Sequence, residues 1–181
     1  MKIDFALTYD SKTEYNEIGY HTTDNDNYQL IVNEGFKCST QDNDWLGEGV
    51  YFWDEISNAY WWANNAKRDI SKEKCIIVCE LNCPINKYLD LDVEMKKFVD
   101  FLTDYENKMK KYNGSKPVFK SNDMRKKFYC DVYCSQNKIS ILAHTFEYPK
   151  NKFGFKIGTI LRRQVCVRDP NLITIQRKKV I

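Results

Sequence analysis

Two glycines one residue apart open the run Gly47-Glu48-Gly49-Val50-Tyr51-Phe52-Trp53, and this run constrains the fold more than any other stretch. Glycine frees the backbone where a turn must form, and the β-branched and aromatic residues that follow favour a half-buried strand. Ser57 can cap a helix carrying Ala59, Trp61, Trp62, Ala63 and Ala66. A similar unit lies upstream. Residues 1–14 have no regular pattern, residues 17–22 read as a short strand ending at His21, and residues 24–27 offer several N-caps. A helix through Tyr28, Leu30, Ile31 and Val32 then ends at Gly35, where a left-handed residue is expected. The order is strand, helix, glycine turn, strand, helix.

The remainder extends this to an α+β chain. Residues 75–81 form a β-branched buried strand that Pro84 stops. Met95, Phe98, Val99, Leu102, Tyr105 and Met109 recur at steps of three and four, predicting the longest helix over about residues 92–110. Further strands are predicted at 138–143, 161–167 and 172–176. With 181 residues, 43% hydrophobic and 14% aromatic, the chain can bury one sizeable core, so residues 1–181 read as one domain. No apolar run approaches the ~18–20 residues of a membrane span, and the N-terminus lacks a basic-apolar leader. No membrane partner and a cytoplasmic location are therefore expected.

Seven cysteines are an odd number and lie among apolar neighbours, which suits reduced, buried thiols. Cys75, Cys79 and Cys83 fall four apart, as do Cys130 and Cys134. Zinc is the competing reading of that spacing, but residues 75–81 read as a strand with Cys75 and Cys79 on one face, and neither histidine lies nearby, so no metal is assigned. Charge is concentrated between residues 107 and 127. Lys108, Lys110, Lys111, Lys116, Lys120, Arg125, Lys126 and Lys127 stand there against Asp123 alone. Such a run is either a solvated helix end and loop or a contact surface for a phosphate backbone or an acidic protein. Tyr112, Phe119, Phe128 and Tyr129 interleave with the basic residues and are candidates to stack on unpaired bases.

His21-Thr22-Thr23, then a helix ending in Gly35-Phe36, then residues 47–52 resemble the poly(ADP-ribose) polymerase and diphtheria-toxin branch of the ADP-ribosyltransferase superfamily. The likeness covers residues 19–63 and resumes at 161–169. It implies a split sandwich of two small, mainly antiparallel sheets with helices packed on them, and NAD as co-substrate, held where the strand ending at His21 faces residues 50–53. By the resemblance His21 hydrogen-bonds the adenosine-side ribose, the Thr22 backbone pairs with the nicotinamide carboxamide, and Thr23 and Gly49 complete the cofactor-binding set. Tyr51 stacks on the nicotinamide, Trp61 supplies a second ring, and Asn58 contacts the carboxamide. Gln164 falls on the family's catalytic glutamate, so His21, Tyr51 and Gln164 form the implied catalytic set. Glutamine can accept a hydrogen bond from the ribose 2′-OH but brings no negative charge to an oxocarbenium ion. Glu48, Asp54, Glu55 and Asp169 are the alternative acids.

These readings lead to one expectation with two competitors. The expectation is transfer of ADP-ribose from NAD to a macromolecular acceptor, nucleic acid or protein, by a microbial or viral toxin or defence effector. The competitors are an NAD- or ADP-ribose-binding module without transfer chemistry, and an NAD glycohydrolase in which water is the acceptor.

Overall fold

A computed structural model describes residues 13–65, 72–148 and 160–181. The elements are β1 (Glu14–Asp24), α1 (Asn25–Glu34), β2 (Val50–Trp53), α2 (Ile56–Asn65), β3 (Lys74–Pro84) and β4 (Tyr88–Asp90). They continue with α3 (Leu91–Asn113), α4 (Asn122–Asn137), β5 (Ile141–Tyr148), β6 (Ile160–Val167) and β7 (Ile173–Val180). The reading of residues 1–12 and the place of Ala66 in the second helix lie outside the described residues. Among the described residues no helix is long and apolar enough to cross a membrane.

The seven strands pair in the order β4-β5-β6-β2-β1-β3-β7, all antiparallel except β4 beside β5. The protein is thus α+β with one mostly antiparallel sheet, where two small sheets were expected. One residue pair makes the difference. β1 pairs with β3 along its whole length, from Glu14↔Pro84 to Asp24↔Lys74, but meets β2 only at Tyr20↔Trp53. β2 has four residues, all paired with β6, and a single pairing is enough to join the two halves into one ladder.

The halves nevertheless close on each other. Tyr15 of β1 and Tyr88 of β4, far apart in strand order, stack with ring centroids 4.1 Å apart. Between the halves lies a core of Val50, Phe52, Ile77, Cys79, Leu81, Ile141, Ala143, Val165 and Val167. Leu46, Leu142 and Cys166 pack with Phe98 of α3 and Tyr129 and Tyr133 of α4, while α2 covers Trp53 and Ile76 through Ala59. Alternation along the strands separates these clusters: Phe52 and Ile77 face inward, Trp53 and Ile76 outward.

Local signals explain several boundaries. Asp24 caps α1 by accepting from Asn27 N at 2.8 Å. Gly35 ends α1 at φ 81°, ψ 173°, a positive-φ but extended conformation in place of the expected left-handed helical one. α2 starts at Ile56, so Ser57 lies inside its first turn instead of capping it, and the Glu55 carbonyl accepts from Asn58 N. α4 was not expected at all. Its buried face is Tyr129, Cys130, Tyr133 and Cys134, a four-residue repeat hidden within a stretch read mainly for charge. All seven cysteines are free, and burial pushes Cys83 up to about 11 and Cys79 up to about 12, which keeps both as thiols at neutral pH.

Candidate functional site: the cleft where the ladder breaks

Past Tyr20↔Trp53 the next backbone pairing does not form. Instead the His21 imidazole fills the gap, with Nδ1 2.8 Å from the Tyr51 carbonyl oxygen. A carbonyl only accepts, so Nδ1 carries the proton in this contact. The ring is held edge-on to Phe36 at 5.3 Å and against Phe52 at 5.7 Å. A cleft of about 920 Å³ opens here, at the upper end of the range for small-molecule sites. His21, Thr22, Thr23, Gly49, Tyr51 and Gln164 all border it, together with the loop carrying Ser39 and Asp44.

These residues are held in different ways. The Thr22 hydroxyl donates to the Ala59 carbonyl at 3.0 Å and pins β1 to α2, while Thr23 is buried. Gly49 exchanges backbone hydrogen bonds with Ser39, and a Cβ there would collide with the Cys166 sulfur and the Val167 carbonyl. Glycine is therefore required by close approach. Gly47 is required by its φ of 89° as well as by Asp131, against which a Cβ would also collide. Gln164 pairs with Trp53 on one side and His144 on the other, which sets it on the cleft wall by strand register.

Tyr51 borders the cleft, but its ring leaves β2 on the opposite face from Phe52 and packs with Leu46 and Cys166. Its hydroxyl donates to the Gly47 carbonyl at 2.7 Å and accepts from Leu46 N at 3.0 Å. Burial pushes this phenol far above its usual range. The His21 and Tyr51 side chains thus leave opposite faces of the sheet, and what joins them is the Tyr51 carbonyl.

Asn58 and Trp61 do not border the cleft. The Asn58 carbonyl oxygen accepts from Arg162 at 2.5 Å, its amide donates to Asp54 at 3.3 Å, and the Arg162 guanidinium lies 3.9 Å above the Trp61 ring. Trp62 is the α2 ring that reaches the cleft. The start of α2 at Ile56 sets this phase, which sequence spacing alone left one residue off.

The four alternative acids are also engaged elsewhere. Glu48 binds Lys127 at 2.9 Å, Asp54 accepts from Asn58, Glu55 accepts from Ser57 at 3.3 Å, and Asp169 caps a turn by accepting from Asn171 N at 3.1 Å. None of them borders the cleft. Asp44 does, and sequence reasoning missed it. Its Oδ1 accepts from the Ser39 hydroxyl at 3.1 Å, and its Oδ2 is buried with no hydrogen-bond partner. Burial raises its pKa, opposed by the Ser39 hydrogen bond. The only sequence signal was a carboxylate five residues ahead of Gly49.

The basic stretch is partly neutralised in the fold. Glu106 pairs with Lys116 and Arg125, Asp123 with Lys126, and Lys127 with both Glu48 and Asp131. Phe119, Phe128 and Tyr129 pack on one another, whereas Tyr112 is 78% exposed. Lys108, Lys110, Lys111 and Lys120 form no ion pair among the described residues. Among those residues no group of three or more His, Cys, Asp or Glu could hold a metal ion.

No family model matches the chain. An 88-residue stretch is 31% identical to an uncharacterized protein of Methanocaldococcus jannaschii, covering 46% of this chain and 41% of that relative. The chain thus spans about two-fifths of the length of the curated relative it matches.

Proposed function

We propose that the cleft binds NAD and that the protein transfers the ADP-ribose unit to a macromolecular acceptor, within an ADP-ribosyltransferase-like split sandwich. The observation that carries this reading is the break in the ladder at His21 and Tyr51, which opens a cleft of about 920 Å³ with Gln164 on its wall. Two half-sheets closing on a shared core, joined at one residue pair, support the fold part of the reading.

In this reading NAD lies bent across the break, where proximity and orientation lower the barrier to breaking the bond between nicotinamide and its ribose. His21, oriented by the Tyr51 carbonyl, meets the ribose with its ring edge. Trp62 and Trp53 offer apolar walls, and the Gln164 amide orients the 2′-OH. An acceptor would meet Lys108, Lys110, Lys111 and Lys120 beside exposed Tyr112, a surface suited to a phosphate backbone or an acidic protein segment.

A second reading is favoured by one residue. Gln164 brings no charge, which suits a module that binds NAD or ADP-ribose without turnover. The two readings separate when the purified chain is incubated with labelled NAD, with and without cell extract. Transfer expects release of nicotinamide and label fixed on protein or nucleic acid. Release with free ADP-ribose indicates a glycohydrolase, tight binding without release indicates the module, and absence of binding rejects the NAD site.

A further inference from the structure

We infer that Asp44, and no residue of β6, supplies the carboxylate of the cleft and accepts the proton of the attacking acceptor group. This inference rests on the NAD reading above. Three observations carry it. Asp44 lines the same cleft as His21 and Gln164. The other acids bordering the cleft are ion-paired, Glu34 with Lys37 at 2.5 Å and Asp123 with Lys126 at 3.5 Å. Among the described residues Asp44 forms no ion pair within 4 Å, and its Oδ2 is buried without a hydrogen bond, an arrangement that native proteins rarely keep without a use.

Local structure makes the position firm. Asp44 N donates to the Gln41 carbonyl at 3.2 Å, Gly47 N donates to the Asp44 carbonyl at 2.9 Å, and Ser39 holds Oδ1. The following turn is clamped by the Tyr51 hydroxyl and, through Glu48 N, by Asp131 of α4. A carboxylate built into such a turn keeps its place when a ligand enters, as a preorganised site requires.

The chemistry balances without another reagent. An acceptor O–H or N–H gives its lone pair to the ribose carbon as the bond from that carbon to the nicotinamide nitrogen breaks. Nicotinamide keeps the electron pair and leaves neutral, and the acceptor's proton passes to the Asp44 carboxylate. Gln164 orients the ribose, and Asp44, on the loop that borders the same cleft, carries the charge that a glutamate on β6 would bring.

The groups facing Asp44 are the Ser39 hydroxyl, the Gln41 backbone, the Tyr51 phenol of β2, and Lys127 and Asp131 of α4. Lys127 and Asp131 act in opposite directions on its charge, and burial dominates. Turnover should therefore rise with pH through a carboxyl range shifted upward from that of a free aspartate.

The test measures release of labelled nicotinamide from NAD, with cell extract as acceptor source, and NAD affinity by calorimetry. It compares wild type, Asp44→Asn, Asp44→Glu and Glu48→Gln. Asn keeps the Ser39 hydrogen bond, so Asp44→Asn should fold normally and hold NAD within about threefold of wild type. Its release should fall at least about a hundredfold, with the acid limb of the pH profile lost, as removal of a general base predicts. Asp44→Glu should recover part of the rate, and Glu48→Gln should match wild type. Release by Asp44→Asn within threefold of wild type, or an equal loss of affinity and turnover, overturns the Asp44 role and leaves the NAD reading standing. A wild type that neither binds NAD nor releases nicotinamide overturns the NAD reading itself, and the inference with it.

Discussion

Arg163 and Gln164 are neighbours on β6 and point to opposite faces, and their surroundings could hardly differ more. Arg163 donates to Asp92 at 2.5 Å, Asp90 at 2.6 Å and the Tyr88 hydroxyl at 2.9 Å. Asp92 also accepts from His144 at 2.6 Å and from the Thr145 backbone and hydroxyl at 3.0 and 2.6 Å. Every carboxylate in that knot is answered by donors. On the cleft side, one carboxylate oxygen of Asp44 has no donor, and a histidine stands where backbone pairing stops. The same short sheet thus holds a saturated polar network that ties β4, β5, β6 and α3 together, and a deliberately incomplete one that borders empty volume. Saturation buys rigidity, and incompleteness leaves polar capacity to meet a ligand.

Four substitutions can break or sharpen this contrast. The largest effect is expected from Arg163→Met, which strands Asp90 and Asp92 with part of their charge unpaired. Because the ion pairs are between a fifth and a third exposed, the loss should be about 2–3 kcal/mol, below the value for fully buried pairs. Thermal unfolding should show it while NAD affinity stays unchanged. An equal loss of NAD binding would mean that the knot and the cleft are one unit.

Tyr51→Phe comes next. Removing the hydroxyl leaves Leu46 N and the Gly47 carbonyl without their partner, at a cost of about 1–2 kcal/mol in stability. The turn that positions Asp44 should loosen, so NAD affinity should fall severalfold even though the ring is kept. Tyr51→Ala should lose more on both measures. Equal calorimetric affinity for Phe and wild type would show that the hydroxyl plays no part in shaping the cleft.

Asp44→Asn should be mildly stabilising at neutral pH. The sign follows from linkage. A carboxyl whose folded pKa is raised disfavours folding once it is ionised, so wild type loses stability as pH rises from the unfolded value through the folded one. Below both values the variant and wild type should be equally stable. Denaturant titrations at acidic and neutral pH test this, and a destabilised variant at pH 7 would remove Asp44 from the incomplete side of the comparison.

Gln164→Ala keeps the backbone pairing of β6 with β2 and β5, so its effect on stability should be the smallest of the four. Under the transferase reading it should abolish transfer with NAD affinity held within a few fold. Full activity in this variant would move the orienting role away from β6.

The turn and strand at residues 47–53 and the end of the first helix at Gly35 were legible because glycine placement and β-rich composition act locally. α4 was not, because its apolar repeat, Tyr129, Cys130, Tyr133 and Cys134, is built from residues that also read as polar or reactive. β4 is only three residues long and exists through its pairing with β5. In the site, His21, Gly49 and Gln164 were named by the family resemblance, whereas Asp44, five residues ahead of Gly49, belongs to none of the resembling motifs and was found by where its loop lies.

By itself the sequence determined the α+β character, the glycine turn ahead of β2, the first helix and its stop, and the regions of six of the seven strands, with β1 starting at Glu14 ahead of the expected residue 17 and β5 at Ile141 after the expected residue 138. These depend on backbone freedom, capping and hydrophobic period, all of which act over a few residues. Tertiary structure decided that two half-sheets join at Tyr20↔Trp53, that the Tyr51 ring turns away from His21, that Trp62 replaces Trp61 at the cleft, and that Asp44 stays unpaired. Each of those depends on strand register, helix phase or partners distant in the chain, and local sequence carries no record of which partner a polar group will meet.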